Sequence, residues 1–310
     1  MPSALLRRVV APGLTVLATV ALLAPAGRAD APAGARLPDL DQEVPSQLDV
    51  SVDGFGAHRS YRLGFGSGVR NVGAGPLIID AHRASTSAPM VGDQLLQTDG
   101  GGEARVPGAG RMRYVRSPDH QHWHLLGFDR YELRRAGGGR ALVRDQKTGF
   151  CLGDRYRVTT RSVPQAAPQA VYRTRCGLTH PELLRVREGI SVGYGDFYAA
   201  HLEYQDLPIS GLRDGRYVLV HRANADRQLR ESDYTNNAAS VLLDLRWHDG
   251  VPSMKVMATC PDSARCERPD AGAAGAAGRA APRATAARVP VRRALLPAQR
   301  SMLCGLSWRG

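Results

Sequence analysis

Between Leu37 and Val256 the chain has no long stretch of apolar residues at helical spacing. It has many short runs bounded by turn signals, at 61–65, 76–79, 124–133, 197–204, 217–221 and 241–247, and several of them alternate apolar and polar positions. Alternation with period two places one set of side chains on a buried face and the other in water. Turn residues such as Asp214-Gly215 and Gly137-Gly138-Gly139 separate the runs. The pattern predicts a mainly β chain, an antiparallel β-sandwich with long loops. Its clearest piece is 212–245, where Asp214-Gly215 turns the chain into a strand at 217–221. A polar loop at 231–237 follows, and 241–247 returns. No internal repeat is visible.

The two ends read differently. Arg7 and Arg8 precede an apolar stretch over 9–23, broken by Pro12 and Gly13, and small residues follow. This predicts a secretory signal over residues 1–29, with cleavage after Ala26 or Ala29. The apolar run is shorter than the ~20 residues a spanning helix needs. Export means an oxidising compartment, where cysteines pair. Of the five cysteines, Cys260 and Cys266 bracket a short loop and are expected to pair locally. Cys151 and Cys176 are then the remaining pair of the folded region, with Cys304 left over. From about Asp270 the sequence turns rich in Ala, Gly, Arg and Pro and predicts a disordered C-terminal tail. The expected organisation is a signal at 1–29, a folded domain at 30–260 and a tail at 261–310.

Composition narrows the function. A chain of 310 residues with 43% hydrophobic content has material for a sizeable core, which excludes a wholly disordered protein. The net charge of +12 lies mostly at the ends, and residues 261–310 alone hold nine arginines against three acids. The middle is nearly neutral, which argues against nucleic acid as a partner, because that binding needs clustered cations on a folded face. The basic tail suits loose contact with acidic polymer at a cell surface. Among 41 basic residues only Lys147 and Lys255 are lysine.

Three of the nine histidines stand at alternate positions in Asp119-His120-Gln121-His122-Trp123-His124. On a strand, His120, His122 and His124 share one face while Gln121 and Trp123 share the other. Three imidazoles on one face make a metal site. The outer two Cα atoms of a straight strand would lie about 13 Å apart, so the site requires a bend or bulge. The plain alternative is a polar strand face whose histidines only form hydrogen bonds. Imidazoles without thiolates suit copper, zinc or nickel, and the motif alone does not choose among them. Zinc with an open position would make a hydrolase, whereas copper in an exported protein suggests oxygen chemistry.

An ordered set of motifs resembles the lysyl oxidases, the secreted copper-dependent amine oxidases. It runs from Leu37-Pro38-Asp39-Leu40 through Val69-Arg70-Asn71 and His120-Gln121-His122-Trp123-His124 to Lys147-Thr148-Gly149-Phe150-Cys151-Leu152. Gly195-Asp196-Phe197-Tyr198 and Glu231-Ser232-Asp233-Tyr234-Thr235-Asn236-Asn237 complete it, so that the resemblance covers about residues 37–260. It implies copper on His120, His122 and His124. It also implies a lysine tyrosylquinone cofactor cross-linked from Lys147 and Tyr198. An arginine could not replace that lysine, because its guanidinium stays protonated. The implied chemistry is condensation of a primary amine with the quinone, removal of an α-proton and release of an aldehyde. Reoxidation by O2 then gives peroxide and ammonia. A histidine that follows the copper motif in the animal enzymes is replaced here by Arg130, which leaves Asp129 or Asp196 as the candidate base. Asp119 stands before the copper motif, so any disulfide at that position is absent. A Cys151–Cys176 bond would close the loop beside Lys147 instead.

Glu231, Asp233, Asn236 and Asn237 place four oxygen donors within seven residues, which suits calcium. The resemblance adds Asp39 and the Leu40 carbonyl to this site. The plain alternative is a turn whose Asp and Asn cap their own backbone. Two other functions compete with the oxidase: a tri-histidine zinc hydrolase, and a non-catalytic secreted β-sandwich that binds through its surface. Oxidase substrates would be primary amines, as small molecules or as lysyl side chains of proteins.

Overall fold

The alternating runs are strands in the computed structural model, which describes residues 31–117, 120–144, 149–173, 175–267, 283–284 and 287–293. Strand Gly215–Ala223 pairs antiparallel with Ala238–His248, setting Leu219 opposite Val241 and Tyr217 opposite Leu243. Tyr217, Leu219, Val241, Leu243 and Leu245 point into the main core. Val218, Val220 and Leu242 point the other way, into a smaller cluster closed by Cys260 and Cys266. Both faces of this hairpin are covered, which is why its sequence reads as nearly continuous apolar runs.

The described residues form three seven-stranded sheets around one core, a sandwich-like, mainly β architecture. The first sheet runs in the order Gly149–Phe150, Trp123–Leu126, Glu103–Tyr114, Met90–Thr98, Leu77–His82, Arg185–Ile190, with Ala35–Arg36 added to Met90–Thr98. The second contains Val143–Arg144, Asp129–Arg135, the Gly215–Ala223 hairpin and Val251–Cys260. The third is built on the long strand Ser60–Asn71, which pairs with Ser46–Asp53, Tyr194–Tyr198, Asp206–Pro208 and Leu40–Gln42. From Pro32 onward the described residues belong to one compact unit, and no helix among them is long and apolar enough to cross a membrane.

Three features differ from expectation. The run at 124–133 is two strands in two sheets, because Gly127, at φ +76°, turns the chain between Trp123–Leu126 and Asp129–Arg135. A left-handed φ of this kind favours glycine. The run at 197–204 ends as a strand at Tyr198 and continues in turns. Residues 261–310, expected to be disordered, supply three short strands, Arg283–Ala284, Arg288–Val289 and Val291–Arg293. They add backbone to the edges of Val251–Cys260 and Ser46–Asp53, and Val289 enters the core. Edge pairing draws on main-chain groups, so a sequence poor in apolar residues can still join a sheet. Residues 268–282, 285–286 and 294–310 with Cys304, the signal at 1–29, and Asp119 and Lys147 lie outside the described residues.

Disulfides join Cys151 to Cys176 and Cys260 to Cys266. Beside the first bond, the buried Asp154 carboxylate gathers the loops around it. It accepts from the backbone N–H groups of Val171 at 2.7 Å, Tyr172 at 3.0 Å and Ser191 at 2.8 Å, and from Ser191 Oγ at 2.7 Å. Removing a buried acceptor leaves its donors unsatisfied, at about 1–3 kcal/mol for each group stranded. Asp154→Ala is therefore expected to lower stability by about 3 kcal/mol or more in urea denaturation. A loss under about 1 kcal/mol would show that the loops are held by other contacts.

Candidate metal and tyrosine site

His120 and His122 lie in the approach to strand Trp123–Leu126, and only His124 is within it. The bend that the motif requires is a turn. Ser117 N–H donates to the His120 carbonyl at 2.9 Å and His120 N–H returns to the Ser117 carbonyl at 3.2 Å. Trp123 N–H bonds the Cys176 carbonyl at 2.8 Å, tying the turn to the disulfide. The three imidazoles are buried and converge, with one ring nitrogen of each within 4.8 Å of the others. Ring centroids are 5.4 Å apart for His120–His122 and His120–His124, and 4.6 Å for His122–His124. His122 Nε2 and His124 Nε2 stand 2.7 Å apart, a separation at which two lone pairs need a proton or a cation between them. Trp123 faces away, its ring under the Arg83 guanidinium and its N–H on the His180 carbonyl. Gly149 packs on His124 so closely that a Cβ there would lie 2.6 Å from the histidine Cβ. No other residue fits that position without displacing the ring.

A cavity of about 380 Å³ opens beside the histidines, and Tyr198, Asp196, Cys151, Arg155, Tyr156 and Glu43 line it with them. Strand Tyr194–Tyr198 carries Asp196 and Tyr198 on one face, two residues apart. The Tyr198 hydroxyl lies 2.9 Å from both the Cys151 carbonyl oxygen and Asp196 Oδ2, so its proton has two acceptors to choose from. Phe150 closes edge-on against the Tyr198 ring, at a centroid distance of 5.0 Å. Burial pushes the Asp196 carboxyl up to about 6, against the pull of Arg155 at 3.6 Å and of hydrogen bonds from Tyr198, Gly153 N–H and Phe197 N–H. Burial, and then the neighbouring Asp196 charge, raise the Tyr198 phenol well above its usual range.

Asp129, the other candidate base, is not among the residues lining this cavity. Its carboxylate accepts from Ser67 Oγ at 3.0 Å in the core, where Ser67 also meets His221 Nδ1 at 3.1 Å. Arg130 pairs with Asp226 at the surface. Two residues of the site escaped the sequence reading, Arg155 on the cavity wall and Glu203 behind His120. Arg155 had no signal beyond being an arginine near Cys151. Glu203 approaches His120 Nδ1 at 2.9 Å, and its only sequence trace is a position five residues after Tyr198. Burial works to raise the Glu203 carboxyl, but hydrogen bonds from Ser117 and His120 outweigh it and hold the carboxyl below its ordinary value.

Away from the cavity, the acidic loop meets the N-terminal strand. Glu231 accepts from Leu40 N–H at 2.8 Å and from Asn237 Nδ2 at 2.7 Å, and Asn236 Nδ2 donates to Asp39 Oδ1 at 2.7 Å. Asp233 caps Thr235 N–H within its own turn. The side-chain amide oxygens (Oδ1) of Asn236 and Asn237 are buried without partners. Burial raises Glu231 to about 7, and burial followed by the Asp233 charge raises Asp39.

A family profile described as lysyl oxidase matches residues 96–255, about half of the chain and including the histidine, tyrosine and acidic-loop segments. The chain belongs to the lysyl oxidase family. Among curated relatives, the protein-lysine 6-oxidases of Gallus gallus and Homo sapiens are each 30% identical over 129 residues. The matched segment is 41% of this chain and 26% or 27% of theirs. Lysyl oxidase homolog 3B of Danio rerio is 29% identical over 133 residues, 43% of this chain and 14% of its own length. The chain thus spans about a quarter or less of the length of these relatives.

The shift on Asp196 has a sign. A carboxyl near 6 in the fold and 3.8 unfolded favours the folded state while protonated, and that advantage is lost as pH rises through 6. In metal-free protein Asp196→Asn should therefore gain on the wild type by up to about 3 kcal/mol from about pH 4 to about pH 7. Parallel denaturation profiles across that window would refute the shift.

Proposed function

We propose that this chain is a secreted copper- and quinone-dependent amine oxidase. It would convert a primary amine, O2 and water to an aldehyde, hydrogen peroxide and ammonia, acting on small amines or on lysyl side chains of proteins. The observation that carries the reading is the single cavity lined by His120, His122, His124, Asp196 and Tyr198. Three neutral imidazoles suit either copper, which binds such a set more tightly, or zinc. The phenol on the same cavity favours copper, because oxidising a tyrosine ring with O2 needs a metal that changes valence and zinc does not. A zinc hydrolase leaves Tyr198 without a role.

The quinone, once formed from Tyr198 and Lys147, supplies the electrophilic carbonyl that a substrate amine attacks. The chain's own residues do the rest. The three histidines hold the metal, and Phe150 with the disulfide-bound Cys151 fixes the Tyr198 ring. Asp196 is the base of this reading. It lies on the cavity wall at the tyrosine oxygen, and a carboxyl near 6 is ionised at neutral pH yet more basic than an ordinary aspartate. Arg155 steadies its charge from 3.6 Å. Two disulfides fit a secreted protein with a signal at residues 1–29, and the basic tail would serve contact with an acidic cell surface. In the acidic loop, partnerless Asn oxygens beside Asp39, Glu231 and Asp233 make an excess of hard donors that calcium would satisfy, with the Leu40 carbonyl as a further ligand.

The cofactor is tested by mass mapping of the mature protein after copper, O2 and phenylhydrazine. One cross-linked, hydrazine-labelled species containing Lys147 and Tyr198 is expected, and none from Lys147→Arg. Separate, unmodified peptides from a copper-loaded wild type would overturn the cofactor and with it the oxidase. Calcium is tested apart from it. Excess calcium should raise the melting temperature of the wild type by a few degrees, about 1–3 kcal/mol of stabilisation, and leave Asp233→Ala unmoved. Equal shifts in both proteins would rule the loop out as the site.

A further inference from the structure

We infer that Glu203 is a positioning residue, a carboxylate that fixes the ring of His120 for metal binding and ties that ligand to the segment carrying Tyr198. The inference rests on the copper reading above.

Its ground is geometric. After strand Tyr194–Tyr198 the chain turns, with Leu202 N–H on the Ala199 carbonyl at 3.0 Å and Gln205 N–H on the Leu202 carbonyl at 3.2 Å. Ala199 and Leu202 form part of the cavity wall. The segment is pinned again when the Gln205 carbonyl accepts from Phe65 N–H at 3.1 Å and Asp206–Pro208 joins Ser60–Asn71. Between these anchors Glu203 projects to the histidine turn. Its Oε2 takes His120 Nδ1 at 2.9 Å and Ser117 Oγ at 2.6 Å, and Ser117 is the residue whose backbone closes the turn on His120. A carboxylate on Nδ1 selects the tautomer with its proton there. That tautomer presents Nε2 as the metal donor and makes it more basic. Because Glu203 lies five residues beyond Tyr198 on one anchored segment, the same contact ties the His120 ring to the segment that carries the tyrosine.

Chemistry alone does not make such a pair functional. His180 and Glu182 form a matching contact at 2.9 Å, but both side chains are 60% exposed and no metal ligand is involved. That pair is the internal control.

The test measures copper affinity by competition with a chromogenic chelator and the copper signal by electron paramagnetic resonance, on the full mature chain. Glu203→Ala should weaken copper binding on the order of 10–100-fold and alter the hyperfine pattern. Glu203→Gln, which keeps an oxygen acceptor for Nδ1–H, should fall between it and the wild type and serves if the alanine variant does not fold. Glu182→Gln should match the wild type. Wild-type affinity and spectrum in both Glu203 variants would overturn the inference and leave the oxidase standing. A wild type that binds no copper would overturn both. Glu203-dependent copper binding without any hydrazine-reactive species would sustain the inference and overturn the oxidase.

Discussion

Three buried imidazoles, with one ring nitrogen of each within 4.8 Å of the others, are the constraint around which this structure is arranged. Buried ring nitrogens that face one another need a proton or a cation to separate their lone pairs, and a chain without such a reason would splay them into solvent. The surroundings hold them in. The turn at Ser117 shortens the path that a straight strand would spread over about 13 Å. Gly149 lets the neighbouring strand approach His124, and the Trp123 backbone is bonded to Cys176. Each device acts on one ring or its backbone, and together they leave the cluster little room to relax.

The same confinement sets the chemistry of the cavity. Asp196 and Tyr198 lie two apart on one strand, so the carboxyl and the phenol share a face and meet at 2.9 Å. Burial raises both groups. The Arg155 guanidinium and two backbone N–H groups restrain the rise on the carboxyl, and so Asp196 settles near 6 rather than staying protonated at neutral pH. An ordinary surface aspartate would be a weaker base, and one without these donors would be neutral. The arrangement costs folding stability as the pH rises through about 6.

The sequence made much of this legible, and the limits are physical. Short, nearly continuous apolar runs between turn signals marked the hairpin of Gly215–Ala223 and Ala238–His248, because both faces of it are buried and most positions are under packing pressure. Alternation could not mark the crossing at Gly127, where one continuous run serves two sheets, since a single φ near +76° separates them and the pattern passes through unchanged. The tail strands were hidden for the opposite reason. Edge pairing engages backbone groups that every residue has, and composition is silent about them. In the site, three histidines at alternate positions announced themselves. Glu203 did not, because its value lies in reaching a turn 83 residues away.

The acidic loop belongs to the same argument, although it lies apart from the cavity. Glu231 holds Leu40 N–H, and the Asn236 carbonyl accepts from Gln42 N–H at 3.1 Å, so the loop grips the strand Leu40–Gln42 along its length. The next residue, Glu43, bonds its N–H to the Gly68 carbonyl at 2.8 Å and lines the cavity. Negative charge left unbalanced at Asp39 and Glu231 would loosen that grip one residue before the cavity wall begins. The proposed cation in the loop, or the raised protonation of Glu231 near 7 in its place, would therefore brace the wall without touching the histidines or Tyr198. Charge balance at one end of a short strand is thus a condition for the shape of the cavity at the other.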